Sequence, residues 1–405
     1  MKKFIALASI FIFILIVSCE RESQIIKDPI RLTTDQKQLV NSSNIFGFNI
    51  FKEVAKNTQG DTNVFISPLS ISLALTMLYN GSASITKDEL RSGLGYEGLT
   101  DEQVNIANRD LIKALIEADP KVNMQIANSI WYKNDMYVKP GFIAINKDYF
   151  KAGVFPGKFD TATKDSINNW VSYNTNQKIT EILDKIPGGV VMYLINAIYF
   201  KGIWKYQFEG KNTTKLDFNV SSEEKVTTDF MTQTGTFEYF QNDLFKAIDL
   251  PYGEGNYSML ILLPNENKTC HDILNSLNDT KWKEWNEQLL KHNVNVSIPK
   301  FKFGYFKKLN RDLIALGMSS MFLNADLSGI SNTDNLAVSR VLHKTFVEVN
   351  EEGTEAAAVT AVEIIKTNLP DNLAFNANKP FIFIIKEKDT NTLLFMGILK
   401  NPLKN

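Results

Sequence analysis

Three histidines (His271, His292, His343) and two cysteines (Cys19, Cys270) are the scarcest reactive side chains in these 405 residues. Cys270 and His271 are adjacent, a pair that could act as thiolate and base or ligate a metal. Their spacing supports neither role. No paired CxxC or HExxH accompanies them, and His292 and His343 are too isolated in sequence to complete a ligand set. A Ser-His-Asp hydrolase could recruit His343 with Ser67 or Ser70, but no GxSxG elbow marks a nucleophile. His343 sits in "SRVLHKTFVEV", an alternating strand, where a hydrogen-bonded core histidine is the simpler reading. No Walker loop occurs and no GxGxxG opens a helix. No cofactor or metal site is therefore expected, and an enzyme is the weaker hypothesis.

The informative stretch is "EEGTEAAAVTAVEIIKT", residues 351–367. Read as a strand, it alternates faces. Thr354, Ala356, Ala358, Thr360, Val362 and Ile364 form an uncharged face. Glu355 and Glu363 share the other with Ala357, Val359, Ala361 and Ile365. Gly353 opens it with a residue suited to a hinge. Read as a helix from Thr354, it has alanine's propensity in its favour and its β-branched residues against it. Local sequence leaves the two readings even. A segment that is a loop in one state and a strand in another would account for both.

The elements that must position such a segment are α+β in class. Helical spacing marks the first third: Leu39, Ile45, Phe46, Ile50, Phe51 and Val54; then "SPLSISLALTMLYNGS", with Ser67–Pro68 as cap and first turn and Gly81 as stop; then "TDEQVNIANRDLIKALIEA". Strands accumulate later. "MQIANSIWYK" and "VMYLINAIYF" are too apolar for exposed edges. "FKAIDLPY" and "YSMLILLP" flank a "GEGN" turn, and "NVNVSIPKFKFGY", "KPFIFIIKE" and "TLLFMGILK" follow. No linker or repeat divides the chain, so residues 39–405 read as one folded unit.

A formal charge of −1 disfavours nucleic acid as a partner. "MKK" followed by "FIALASIFIFILIVS" is a positive n-region and an apolar run too short to span a bilayer. It ends at Ser18–Cys19 and is similar to a bacterial lipoprotein signal. That resemblance implies cleavage before Cys19, removal of residues 1–18, lipidation of Cys19 and a place in the cell envelope. Residues 19–38 would then be a polar tether, and Cys270 would have no partner for a disulfide.

Several segments together resemble the serpins, in that family's order. They are "NVFISPLSISLALTMLYNGS", "LINAIYFKGIW", "IPKFKF", "LGMSSMFLNADLSGIS", "VLHKTFVEVN", "VEVNEEGTEAAAVTAV", "FNANKPFIFII" and "LLFMGILKNP". The resemblance covers residues 39–405. It implies a large central mixed sheet, further sheets, and an exposed reactive-centre loop at about 351–374. It also implies a monomeric suicide inhibitor of serine and possibly cysteine proteases, bound covalently one to one. In that scheme Glu351, Gly353, Thr354, Ala356, Ala357 and Ala358 form the hinge. Lys300 and Trp204 lie where the sheet opens. Ser67, Ser70, Asn196 and His343 form a polar cluster beneath its centre. Counting from Gly353 gives Thr367–Asn368 as the scissile bond. Counting back from Phe375 gives Lys366–Thr367. Lys366 suits trypsin-like enzymes, and Ile365 or Thr367 elastase-like ones. A non-inhibitory binding protein or chaperone on the same fold is the alternative.

Overall fold

A computed structural model describes residues 29–333, 335–354 and 373–404. Cys19 and the expected loop residues 355–372, including Ala356, Ala357, Ala358, Ile365, Lys366, Thr367 and Asn368, lie outside the described residues.

Helix Thr34–Lys56 begins at a capping box. The Thr33 hydroxyl accepts from the Gln36 N–H, and the Gln36 side chain accepts from the Thr33 N–H. The Ile30 N–H already donates to the Asp389 carboxylate. Ordered chain thus starts before the expected boundary at residue 39, because Thr33 and Gln36 satisfy helix-end donors that a tether would leave to water. In helix Pro68–Tyr79, Ser67 accepts from the Ser70 N–H, and Pro68 occupies a first-turn position that needs no donor. That helix is apolar almost all round and is correspondingly buried.

Two sheets take the strands. The six-stranded sheet runs Phe301–Lys308, Leu342–Val349, Gly353–Thr354, Met192–Ile203, Val122–Lys133, Gly153–Gly157. The larger sheet contains the hairpin Phe245–Tyr252 and Tyr257–Pro264, followed by Phe381–Glu387 and Leu393–Leu399. Phe65 knits the two together: its ring stacks on Phe383 and Phe395 and meets Phe303 edge-on. The run "NVNVSIPKFKFGY", which alternates like a single strand, divides between sheets as Leu290–Pro299 and Phe301–Lys308. Pro299 supplies no N–H to extend its ladder, and Lys300 alone makes the crossing. Leu373–Asn376 pairs in parallel with Leu290–Pro299 at the end of the larger sheet.

Candidate functional site

Gly353 and Thr354 form a two-residue strand wedged between two longer ones. Thr354 registers with Val349 on one side and with Gly202 on the other, and Gly353 with Ile203. Among the described residues, no register pair joins Leu342–Val349 directly to Met192–Ile203. Below Thr354 these two strands run in the same direction with a slot between them. Most of the slot is a cavity of about 710 Å³, walled by residues 192–197 and 341–344 and floored by Ser70, Ala74 and Leu78. A smaller cavity touching Thr354, Phe200 and Phe346 lies directly under the hinge.

Gly353 is required where it stands. Its φ is +153°, and a Cβ there would lie 2.1 Å from the Gly202 carbonyl oxygen. The residues before it are gripped. The Trp204 N–H donates to the Glu352 carbonyl at 2.7 Å, and its indole Nε1–H to the Asn350 carbonyl at 2.9 Å. The Phe208 N–H donates to the Glu351 carbonyl at 2.9 Å. Lys300 Nζ lies 2.9 Å from Glu351 Oε2, and the Thr213 hydroxyl donates to Oε1 at 2.8 Å. Partial burial pushes the Glu351 carboxyl up. Hydrogen bonds from Lys300, its own backbone N–H and Thr213 outweigh that and hold it below the usual glutamate range.

The polar residues expected beneath the sheet's centre do not make one network. The Ser67 N–H donates to His343 Nε2 at 3.0 Å, and the Ser67 hydroxyl donates to the Leu394 carbonyl at 2.7 Å. Asn196 instead donates to Asn128 Oδ1 at 2.8 Å, and Asn128 to the Phe150 carbonyl. The slot separates the two groups, because His343 and Asn196 sit on its opposite walls. Ser70 lines the floor between them. The Asn196 Oδ1 is buried with no hydrogen-bond partner among the described residues.

This geometry also disposes of the hydrolase reading of these residues. His343 Nε2 accepts from a backbone N–H, so the imidazole is the neutral Nδ1–H tautomer. Burial pushes its pKa down to about 3. The Ser67 hydroxyl is committed to a carbonyl and cannot be activated by it. Cys270 is no better as a nucleophile, since burial pushes its thiol up to about 12. His271 is exposed beside it. Among the described residues, no cluster of three or more His, Cys, Asp or Glu could hold a metal.

Tyr252, Phe208, Thr213 and Asn128 escaped sequence reasoning. Each lies in or near an ordinary strand, and its role comes only from what the fold brings beside it.

The family model described as serpin, serine protease inhibitor, matches residues 41–402. The chain belongs to the serpin family. Curated relatives include a serpin-like protein of Thermococcus kodakarensis, 35% identical over 91% of this chain and 86% of the relative. The leukocyte elastase inhibitor of Xenopus laevis is 33% identical over 88% of this chain and 97% of its own. Among solved structures, the thermophilic serpin tengpin in its native state has a TM-score of 0.84 at 34% identity, covering 93% of this chain and 96% of its own. Human thyroxine-binding globulin complexed with thyroxine has the same TM-score at 26% identity, covering 91% and 99%. The serpin fold expected from sequence is therefore the fold of this chain, in a family chiefly of protease inhibitors rather than enzymes.

Proposed function

We propose that this serpin inhibits serine proteases as a suicide substrate. The observation that carries this reading is the pair Gly353–Thr354, already placed as a strand at the head of an otherwise unpaired slot. A protease serine attacks the carbonyl of Ile365, Lys366 or Thr367. The acyl–oxygen bond forms as the peptide C–N bond breaks, and the new amino terminus departs with the C-terminal fragment. The freed chain behind Thr354 then threads down the slot. It gains ladder partners on both sides. Ala356, Ala357 and Ala358 are small enough to pass between the walls, and the uncharged face of residues 354–364 turns to the core. The acyl-enzyme is carried along and distorted before water releases it.

Three adjacent candidate bonds imply both trypsin-like and elastase-like targets. Mass spectrometry of the released C-terminal peptide reads the bond used by each protease, and a single site with every enzyme would refute multiple cleavage. The signal at residues 1–18 further supports a lipid on Cys19 and an envelope location, which the intact mass of the membrane-extracted protein checks.

The deciding experiment mixes the chain with trypsin or elastase and runs a denaturing gel. An inhibitor yields a band at the summed mass, whereas a binding protein on this fold yields only a shortened chain. Thr354→Arg is expected to push the hinge out of the sheet while the rest of the chain folds, and so to convert inhibitor to substrate, because an unpaired cation cannot occupy the buried place Thr354 holds at the head of the slot. Undiminished complex formation by that variant would defeat the insertion mechanism.

A further inference from the structure

The hinge is held by a residue from the other sheet. Tyr252 ends the strand Phe245–Tyr252 and is completely buried. Its ring stacks on Trp204, with centroids 4.3 Å apart and planes 10° from parallel, and meets Phe200 edge-on at 5.3 Å. Gly202 makes room for it, since a Cβ there would lie 2.9 Å from the Tyr252 ring. So placed, the Tyr252 hydroxyl lies 2.5 Å from Thr354 Oγ1. Thr354 is itself only 4% exposed. Burial raises the phenol far above its ordinary titration range, so it stays protonated and either oxygen can donate.

Apart from the backbone ladder that pairs Thr354 with Val349 and Gly202, the other ties to this segment hold it before Thr354. Trp204 and Phe208 bind the carbonyls of residues 350–352, and the Asn350 side chain accepts from the Glu352 and Gly353 N–H groups. These fix the approach to the sheet but not the side chain that must enter first. The Thr354 hydroxyl is a poor group to bury alone, and so is the phenol. Each satisfies the other only while Thr354 stays between the strands.

We propose that Tyr252 is a positioning residue for the trap: its hydroxyl latches Thr354 inside the six-stranded sheet of the uncleaved chain, so that insertion starts from a hinge already seated. The proposal rests on the inhibitor reading for its purpose, though not for its geometry. Insertion competes with deacylation, and a hinge that has already passed the head of the slot starts ahead.

The test compares wild type with Tyr252→Phe, Thr354→Val and Tyr252→Phe/Thr354→Val. Phenylalanine keeps the ring on Trp204 and removes only the hydroxyl. Hydrogen exchange of a peptide spanning residues 350–354 in the uncleaved protein reads the latch without any protease. Each single variant is expected to exchange about tenfold faster there, the effect of leaving one buried hydroxyl unpaired. Exchange in the middle of Met192–Ile203 should not change. The double variant buries no orphan and should recover protection. With elastase or trypsin, the single variants should divert more chain to the cleaved, uncomplexed product while the rate of first encounter is unchanged. Unaltered exchange in Tyr252→Phe, or a double variant no better protected than the singles, overturns the latch. A wild type that forms no covalent complex while Tyr252→Phe loses protection overturns the inhibitor reading and supports the latch.

Discussion

At the scale of single residues, the site works by burying groups that water would otherwise satisfy. His343 is the sharpest case. It is 5% exposed, its Nε2 accepts the Ser67 N–H, and its folded pKa of about 3 lies well below the ordinary 6.5. The unfolded chain therefore binds a proton that the folded chain refuses as pH falls below about 6.5. The contribution is complete above that value and is lost as pH falls towards 3. By pH 5 the loss is about 2 kcal/mol. Glu387, whose carboxyl burial raises, acts in the opposite sense at the acid end of this interval. The comparison that isolates the imidazole is with His343→Gln, which keeps an acceptor but no titration. Its urea midpoint should fall less between pH 7 and 5 than that of wild type. Gly353 makes a steric prediction of the same kind. Gly353→Ala drives a methyl into the Gly202 carbonyl, so the hinge must leave the sheet. A fall in covalent complex and a rise in cleaved chain, read on the same gel, is the expected outcome.

Elements carry the next level of control, and their ends matter most. The Thr33–Gln36 box sets where helix Thr34–Lys56 begins. Thr33→Ala should lower stability by about 1 kcal/mol in chemical denaturation. Removing residues 29–38 from the chain's amino-terminal side should lower the midpoint, because it strips the cap and first turn from helix Thr34–Lys56. Sequence made much of this level legible. Ser67–Pro68 announced its helix because cap and first-turn chemistry are local. The hairpin around residues 253–256 was equally plain, since its turn residues sit between two apolar runs. Lys300 and Glu351, paired in the structure, could be placed near each other only through the family resemblance. What failed to show was anything decided by partners distant in sequence. Leu290–Pro299 and Phe301–Lys308 share one alternation, and periodicity cannot say that consecutive strands join different sheets. Lys225–Gln241, the longest of the described strands, reads as polar because its Thr and Gln residues alternate with few aliphatics. Tyr252 looked like the last residue of a hairpin strand. Its meaning comes from Gly202, Trp204 and Thr354, none of which adjoins it in sequence. The polar cluster under the sheet was expected as one network and is two, since only the fold shows that a slot runs between Asn196 and His343.

At the scale of the whole molecule, no described strand below Thr354 fills the slot between Met192–Ile203 and Leu342–Val349. Among the described residues, the walls at residues 192–197 and 341–344 present unshared strand edges to a cavity of about 710 Å³, and the segment proposed to fill it follows Thr354 in sequence. An intact loop cannot fill the slot freely, because its far end is fixed as Leu373–Asn376 against Leu290–Pro299 in the other sheet. On the proposed mechanism a kinetic barrier would hold the native arrangement, and cutting the loop would remove the tether that maintains it. A strand of some ten residues entering between two partners would add on the order of ten hydrogen bonds, each worth about 1 kcal/mol net. The apolar side chains it buries would add to that gain. For a chain of this size, such a gain should raise the unfolding midpoint by at least about 10 °C. Differential scanning calorimetry before and after cleavage within residues 365–368 measures this directly. Cleaved Thr354→Arg should show no comparable rise, because a cation at residue 354 cannot keep the buried place from which insertion starts. A cleaved wild-type chain that unfolds at the intact temperature would mean that the slot is not filled by this segment, and the trap would lose its driving force.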